Sequence, residues 1–277
     1  MSKILFIGAG NMGEAIINGI IKNNCYKKED IYIYEINETR KQKVMEQYGV
    51  SHYKKIDKDI SQFDIIILAI KPQTFLLLEE DKELINLKKF VTERETIVSI
   101  MAGITINKIK KILSENTTIV RVMPNTPALI GMSMSIISPE KNLSNEKIKE
   151  VKKIFDSIGQ TEIMEEKYIN AVTALSGSGP AYLFMFIEAL TEAGILIGLS
   201  KDIAEKLAIE TISGSIAMAK KERENKTKTI EDLKYMVSSP AGTTINAIKV
   251  LEKKGFKGII MDAVYKAFER ANELGKD

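Results

Sequence analysis

The first candidate for chemistry is a glycine-rich stretch near the start of the chain. Residues 8–13 read G-A-G-N-M-G, the G-x-G-x-x-G spacing of dinucleotide-binding turns. In such turns the first glycine permits a tight bend, the second admits a pyrophosphate, and the third lets the next helix pack closely. We therefore expect a dinucleotide to contact Gly8, Ala9, Gly10, Asn11, Met12 and Gly13. A tight turn without a ligand is the alternative.

An acidic residue follows at the distance typical of a ribose contact. Glu35 comes about 20 residues after the last glycine, where a carboxylate accepts hydrogen bonds from the ribose hydroxyls of NADH. Asn37, Thr39 and Arg40 follow at once, and a loop of this composition can hold the 2′-phosphate of NADPH. A surface ion pair between Glu35 and Arg40 is a third interpretation.

Scarce residue types limit the remaining chemistry. The chain has one histidine, His52, and one cysteine, Cys25, so an intrachain disulfide and a multi-ligand Cys/His zinc site are excluded. We expect His52 to have no catalytic role, no metal to be bound, and a cofactor to carry the reaction. A net charge of +3 and the absence of tryptophan do not favour a nucleic-acid partner.

The first half of the chain supplies elements that could position these residues. Short apolar runs at 3–7, 31–34, 64–70, 96–100 and 118–122 predict strands, and helical spacing follows the first run. Asn37 can cap the helix after the second strand, and Gly49 can end it. Strands separated by helices predict an α/β fold, with a Rossmann-type, doubly wound, mostly parallel sheet over residues 1–163.

The second half reads as helix throughout. Helices are expected at 168–175, 181–197, 201–221, 230–236, 244–254 and 258–274, giving an all-helical domain over residues 164–277. The charged run 220–228 predicts a solvated break between two helices. Residues 180–199 are the most apolar window, and Glu188 and Glu192 within it favour a buried helix over a membrane span. No N-terminal signal peptide is apparent, and we expect a cytoplasmic protein.

Four further motifs carry a family resemblance. They are A-I-K-P at 69–72, M-P-N-T-P at 123–127, S-G-S-G-P-A-Y at 176–182 and V-S-S-P-A-G-T-T at 237–244. Together with G-A-G-N-M-G and the length, they resemble the pyrroline-5-carboxylate reductases over essentially the whole chain. Ala241 departs from the pattern, because the family usually has glycine there. It requires either a negative φ or some backbone strain. Glu35 departs too, since members that prefer NADPH usually have a non-acidic residue there.

The resemblance implies reduction of 1-pyrroline-5-carboxylate to L-proline, the last step of proline synthesis. It implies NADPH as the cofactor, although Glu35 is compatible with NADH. It implies homodimers or rings of dimers joined through the helical domain. Ala69, Ile70, Lys71, Pro72 and Asn125 are expected at the cofactor, together with Glu35, Asn37 and Arg40.

The segment before the late helix at 244–254 is the expected substrate site. The N-terminus of a helix presents N–H groups that suit a carboxylate. The resemblance implies that Ser239 and the N–H groups of Gly242, Thr243 and Thr244 bind it, with the Thr244 hydroxyl at the ring nitrogen as the catalytic group. Simple N-capping by Thr243 is the alternative. Residues 176–180 either complete the pocket or form a tight interhelical turn.

Two rival functions are open, and the first shares the two-domain plan. A related hydroxyacid dehydrogenase would resemble its family in carrying a lysine on a helix after a glycine-rich motif. No lysine occurs from Tyr168 through Ser200, which argues against that reaction. A dinucleotide-binding regulator without catalysis is the second rival. We expect neither a nucleic acid nor a membrane among the partners.

Overall fold

A computed structural model describes residues 2–141 and 143–275. Its centre is an eight-stranded sheet with the order β3-β2-β1-β4-β5-β6-β7-β8. The pair β6–β7 is antiparallel and the other neighbouring pairs are parallel. The strands are β1 (Ile4–Ile7), β2 (Ile31–Tyr34), β3 (Ser51–His52), β4 (Ile65–Leu68), β5 (Thr96–Ser99), β6 (Thr118–Met123), β7 (Ser133–Pro139) and β8 (Gly159–Ile163).

Helices cover both faces of the sheet. This arrangement requires strands that are apolar on both sides, which explains the uninterrupted apolar runs of β1 and β4. Two buried clusters result, one on each face. The helices are α1 (Asn11–Lys22), α2 (Glu38–Tyr48), α3 (Pro72–Leu76), α4 (Ile85–Phe90), α5 (Ile106–Ile112), α6 (Asn145–Asp156), α7 (Ile169–Val172), α8 (Gly179–Leu196), α9 (Lys201–Asn225), α10 (Ile230–Met236), α11 (Thr243–Lys253) and α12 (Phe256–Gly275).

The Rossmann-type architecture and the five predicted strands are confirmed. Asn37 caps α2 by accepting a hydrogen bond from the Arg40 N–H at 2.9 Å, and Gly49 ends that helix with φ of 68°. Three strands were not predicted. The sequence pattern does not indicate β7, because several of its buried positions are serines. It does not indicate β8, because that strand is mostly polar, or β3, because that strand has only two residues.

The contacts divide the chain into two compact units. One consists of Met1–Ser178 with Ala267–Asp277, and the other of Gly179–Lys266. The last strand ends at Ile163, at the predicted boundary of residues 163 and 164. The first helices after that strand and the C-terminal end pack within the first unit, where Asn170 donates a hydrogen bond to Asn272 at 2.8 Å. The domain limits 1–163 and 164–277 therefore stay a prediction.

A buried ion pair ties the sheet to the segment after β8. Arg121 of β6 is 2% exposed and its Nη1 lies 3.1 Å from the Glu166 carboxylate. The same carboxylate oxygen accepts the N–H of Ile106, the first residue of α5, at 2.8 Å. Burial lowers the pKa of Arg121, and the Glu166 charge opposes that effect. One carboxylate thus joins a central strand, a helix and the start of the helical region.

The second unit has almost no core of its own. Within residues 179–266, all of which the structure describes, the buried residues are Thr191, Gly194, Ala204 and Ala208. These small residues let α8 and α9 approach closely, because a Cβ at Gly194 would stand 2.7 Å from the Ala204 Cβ. Larger apolar side chains such as Phe184 and Met185 are 66% and 73% exposed.

Two predictions for the helical region are therefore wrong. The apolar window 180–199 is mostly exposed in the protomer, because its unit buries only small side chains. The helical run Glu166–Leu196 is long and apolar enough to cross a membrane by length and composition, with 11% of its window buried. The charged run 220–228 is helical as far as Asn225, since its Lys, Glu and Arg residues are good helix formers, and the predicted break between two helices is confined to residues 226–229.

Candidate active site

The glycine-rich turn lies at the carboxyl end of β1, between β2 and β4. Strand order reverses at this point, and the crevice it creates is where open α/β sheets bind ligands. The Gly8 N–H donates to the Tyr34 carbonyl at the end of β2 at 2.8 Å. The Ala69 N–H, just after β4, donates to the Ile7 carbonyl at 2.9 Å. Three strand ends are thereby fixed around the turn.

Each glycine of the turn has a separate physical reason. Gly8 has φ of 91°, and a Cβ there would stand 2.9 Å from the Ala69 carbonyl oxygen. A Cβ at Gly13 would stand 2.9 Å from the Gly8 carbonyl oxygen, so glycine lets α1 pack against the turn. A Cβ at Gly10 would meet no atom within 4 Å. The space in front of Gly10 is thus open to a ligand, as a pyrophosphate cradle requires.

The acidic residue at the end of β2 faces this turn. The Glu35 carboxylate accepts the Ala9 N–H at 2.9 Å through one oxygen and the Asn37 N–H at 2.9 Å through the other. The expected alternative of a Glu35–Arg40 pair is wrong, because the Arg40 guanidinium pairs with Glu14 of α1 at 3.6 Å.

Arg40 reaches from α2 back to the glycine-rich turn. Its Nε donates to the Ala9 carbonyl at 2.8 Å, and its Nη2 donates to the Asn11 side-chain oxygen at 2.6 Å. Sequence analysis missed Glu14 as part of this cluster. Its place in the first turn of α1 is the signal that could have found it.

The residues after β4 form the second wall of the crevice. A Cβ at Gly8 would also stand 2.9 Å from the Ile70 Cγ2, so the Ile70 side chain lies directly against the turn. Lys71 has φ of −67° and ψ of 143°, the extended backbone expected before a proline. Pro72 then opens α3 as its first residue. The A-I-K-P motif therefore has the rigid geometry that backbone contacts to a cofactor need.

Asn125, after β6, is held by protein groups at both ends of its amide. Its Oδ1 accepts the Met134 N–H at 3.0 Å and the Ser133 hydroxyl at 3.2 Å. Its Nδ2 lies 3.2 Å from both the carbonyl and the hydroxyl oxygen of Ser176. The side chain therefore fixes the S-G-S-G motif to the sheet, a role that spacing along the sequence could not reveal.

The S-G-S-G motif does not form a tight interhelical turn, so that alternative is wrong. Thr173–Gly177 is π-helical, and the helical run continues as α8 from Gly179. A π-helical turn is rare and is frequent at functional sites. A Cβ at Gly177 would stand 3.1 Å from the Met123 Cε, so glycine permits the wide turn to approach the end of β6.

The V-S-S-P-A-G-T-T segment lies in the second unit and leads into α11. Gly242 is the N-cap, without a side-chain capping bond, and Thr243 is the first helical residue, so the predicted alternative of capping by Thr243 is wrong. The Asn246 side chain donates to the Gly242 carbonyl at 2.9 Å. The first N–H groups of an α-helix have no acceptor within the helix, so those of Thr243 and Thr244 are available to a carboxylate. The Gly242 N–H donates to the Ser239 carbonyl at 3.1 Å.

Ala241 has φ of 56°, the left-handed region, so of the two alternatives for this position the one with backbone strain holds. Gly242 has φ of −72° and needs glycine for a different reason. A Cβ there would overlap the Ser239 hydroxyl and stand 3.1 Å from the Ser239 carbonyl oxygen. Ser239 and Gly242 are consequently in close contact at the start of α11.

Among the residues that the structure describes, no cluster of three or more His, Cys, Asp or Glu side chains could hold a metal ion.

Burial, with Asp81 and Glu83 nearby, raises the pKa of Tyr34 to about 12. Its phenol, at the end of β2, therefore keeps its proton at neutral pH.

Comparison with known proteins covers the chain from end to end. Residues 166–274 match the family described as pyrroline-5-carboxylate reductase dimerisation, and residues 3–103 match the one described as NADP oxidoreductase coenzyme F420-dependent. The pyrroline-5-carboxylate reductase of Escherichia coli (strain K12) is 35% identical, covering 99% of this chain and 98% of that protein. The corresponding Methanosarcina acetivorans enzyme is 38% identical with the same coverage.

Solved structures agree with the sequence comparisons. The crystal structure of Plasmodium falciparum pyrroline carboxylate reductase with NADP bound has a TM-score of 0.86 and 33% identity. The alignment covers 99% of this chain and 98% of that one. Similarity of this extent, in sequence and in fold, shows that the chain belongs to the pyrroline-5-carboxylate reductase family.

Proposed function

We propose that the chain reduces the C=N bond of 1-pyrroline-5-carboxylate with NADPH or NADH, giving L-proline. The observation that carries the proposal is the glycine-rich turn at the switch point of the sheet, with open space at Gly10, in a chain similar over its full length to reductases of this name. When bound, the reduced nicotinamide supplies the hydride.

The cofactor's phosphates would be held by the turn and the start of α1. Gly8, Gly10 and Gly13 shape the cradle, and the α1 N-terminus offers N–H groups and a favourable dipole. Residues 69–72 and the Asn125–Ser176 contact are proposed to fix the wall beside it. We propose that Asn125 acts on the cofactor through this wall, since its amide is already engaged.

The substrate carboxylate would bind at the α11 N-terminus, to Ser239 and the N–H groups of Thr243 and Thr244. The Gly242 N–H, which donates to the Ser239 carbonyl at 3.1 Å, would join them by leaving that carbonyl. An anion at this position is stabilised by the unpaired N–H groups and by the helix dipole. The half-buried Thr244 is proposed to orient the ring nitrogen through its hydroxyl and to relay a proton to it. A threonine hydroxyl is a weak acid, so positioning is its main contribution.

We propose that the enzyme is a homodimer or a ring of dimers joined through the helical region. The second unit buries only small side chains of its own, so the large apolar residues of α8 need a partner surface. A second copy of this chain, carrying the same dimerisation region, supplies one by two-fold symmetry. We also propose a reducing cytoplasm as its compartment, in keeping with the single cysteine.

The reaction is tested by following NADPH and NADH consumption with 1-pyrroline-5-carboxylate, and with hydroxy and oxo acids as controls. We expect oxidation of the cofactor with the pyrroline alone. Thr244→Ala should lower kcat by about 10- to 100-fold with cofactor affinity unchanged, whereas Thr244→Ser should keep most of the activity. Lack of turnover with the pyrroline, or full activity in Thr244→Ala, would contradict the reaction or the role respectively.

A further inference from the structure

The cluster around Glu35 and Arg40 bears on the choice between the two nicotinamide cofactors. The inference rests on the proposed function, since it concerns the cofactor of that same site. NADPH differs from NADH by a phosphate on the adenosine ribose, at the end of the crevice that the acid after β2 faces. A protein selects NADPH by offering that phosphate a free cation, commonly an arginine fork.

Arg40 is already committed to the protein. Its Nε donates to the Ala9 carbonyl, its Nη2 donates to the Asn11 side chain, and the Glu14 carboxylate lies 3.6 Å away. The side chain is 29% exposed, so most of it is packed along these partners. To bind a 2′-phosphate, the guanidinium would have to give up its contacts with the Ala9 carbonyl, the Asn11 side chain and the Glu14 carboxylate.

The other cations at the start of α2 are in ion pairs as well. Lys41 pairs with Glu38 at 2.6 Å, and Lys43 pairs with Glu14 at 2.8 Å. Glu35 adds a carboxylate whose two oxygens are held by backbone N–H groups, so it cannot turn away without breaking both bonds. An ionised carboxylate has about four acceptor positions. Two of them therefore remain for ribose hydroxyls.

We propose that this chain binds NADH in preference to NADPH. Glu35 accepts hydrogen bonds from the ribose hydroxyls and repels a 2′-phosphate, whose charge it would meet without a free cation to offset it. Arg40 is a positioning residue that clamps the glycine-rich turn to α2, and it serves both cofactors equally.

Isothermal titration calorimetry of the full-length enzyme with NADH and NADPH tests the preference without turnover. We expect NADH to bind at least about tenfold more tightly, because a carboxylate and a dianionic phosphate repel at short range. Glu35→Gln removes the charge and keeps the size, and should shift the affinity ratio about tenfold toward NADPH. Tighter binding of NADPH by the unaltered enzyme overturns the proposal.

The role of Arg40 is tested by comparing losses for the two cofactors. As a clamp, Arg40→Ala weakens NADH and NADPH by similar factors, and Arg40→Lys does the same because lysine lacks the fork. A selective loss of NADPH in Arg40→Ala would instead identify a phosphate ligand and overturn the clamp. Lys43→Ala is the matched control, since Lys43 shares the Glu14 partner, and it should leave both affinities unchanged.

Two readouts keep the outcomes separate. Thermal unfolding of each variant without ligand shows whether a loss of affinity reflects a loss of folded protein. Titration with adenosine 5′-monophosphate and adenosine 2′,5′-bisphosphate isolates the ribose end from the nicotinamide, and the monophosphate should bind more tightly. If the enzyme prefers NADH but does not oxidise it with the pyrroline, the proposed reaction fails and the cofactor preference stands.

Discussion

At the scale of single residues, Ala241 shows how a departure from a family pattern is absorbed. The position requires a left-handed backbone, and the chain adopts it with a Cβ in place. The residue next to it, Gly242, has an ordinary φ and is needed for its contact with Ser239. Positions 241 and 242 thus favour glycine for unrelated reasons, and only position 242 has it.

Replacing Ala241 with glycine should raise stability. A left-handed L-residue costs about 1–2 kcal/mol. The greater freedom of glycine in the unfolded chain offsets about 0.4–1 kcal/mol of the relief. We expect Ala241→Gly to raise the free energy of unfolding by about 0.5–1 kcal/mol in urea at fixed protein concentration. Ala247→Gly, in the exposed helical interior of α11, is the control and should lower it by about 1 kcal/mol.

His52 should make the free energy of unfolding depend on pH. Its titration can be followed in the imidazole NMR signals without overlap, because it is the only histidine. Burial lowers the pKa of His52 below 6.5, and the Lys41 charge lowers it further. The unfolded chain therefore binds more protons than the folded one as the pH falls below the unfolded pKa. The free energy of unfolding should decrease as the pH drops from about 7.5 through the folded-state pKa.

The imidazole proton signals in NMR measure that pKa directly, and urea unfolding at several pH values measures the stability. His52→Gln should remove this component of the pH dependence and leave those of the carboxylates. Titration of the imidazole above 6.5 would show that the environment of β3 favours the charged form after all.

At the scale of elements, the glycine-rich turn separates folding from binding. Gly13 belongs to the packing of α1 on the turn, whereas Gly10 faces open space. The sequence motif assigns these two roles by the position of each glycine, and the distances agree with both assignments. A Cβ at Gly13 would crowd the Gly8 carbonyl oxygen, whereas a Cβ at Gly10 would meet no protein atom within 4 Å. A substitution at Gly13 therefore affects packing, and one at Gly10 affects the space for a ligand.

The two alanine variants should therefore lose different properties, Gly13→Ala its stability and Gly10→Ala its affinity for the cofactor. Gly13→Ala places a methyl group 2.9 Å from a backbone oxygen and should cost about 1–3 kcal/mol of stability. Gly10→Ala should change stability by less than about 1 kcal/mol. Its methyl group stands in the proposed path of the pyrophosphate, so NADH affinity should fall at least about tenfold. Urea unfolding and calorimetry on both variants distinguish these effects; equal affinity in Gly10→Ala would contradict the cradle.

At the scale of the whole molecule, the exposed face of α8 is the dominant feature of the second unit. The window that meets the length and hydropathy of a membrane span belongs to the region similar to dimerisation domains. An apolar surface on a unit with only small buried residues is unfavourable in water unless another subunit covers it. We attribute the apolar composition of α8 to subunit contact.

A charged residue in this surface should dissociate the assembly. Phe184→Asp and Met185→Lys place charge where the proposed partner subunit packs, and both should sediment as monomers in analytical ultracentrifugation without detergent. Leu77→Asp is the control, because Leu77 is 53% exposed in the first unit, and it should keep the native mass. A monomeric unaltered protein at micromolar concentration would contradict the proposed oligomer.

The sequence by itself determined the features that depend on local spacing and sterics. The apolar runs of β1 and β4, the cap at Asn37 and the stop at Gly49 follow from short-range patterns. The glycine spacing indicated a dinucleotide turn because each glycine answers a backbone requirement within a few residues. The later motifs indicated the family through their resemblance to its pattern, because each motif is contiguous in the chain.

Only the tertiary structure decided which groups become partners across the fold. Arg40 donates a hydrogen bond to the glycine-rich turn, and the Asn125 side chain donates one to Ser176. Both contacts exist because folding brings groups from distant segments within hydrogen-bonding distance. The serines of β7 are buried, against their usual preference, since Ser133 bonds to Asn125 and Ser135, and Ser138 donates to the Met164 carbonyl. Burial and hydrogen-bond partners are properties of the assembled chain, and no local pattern encodes them.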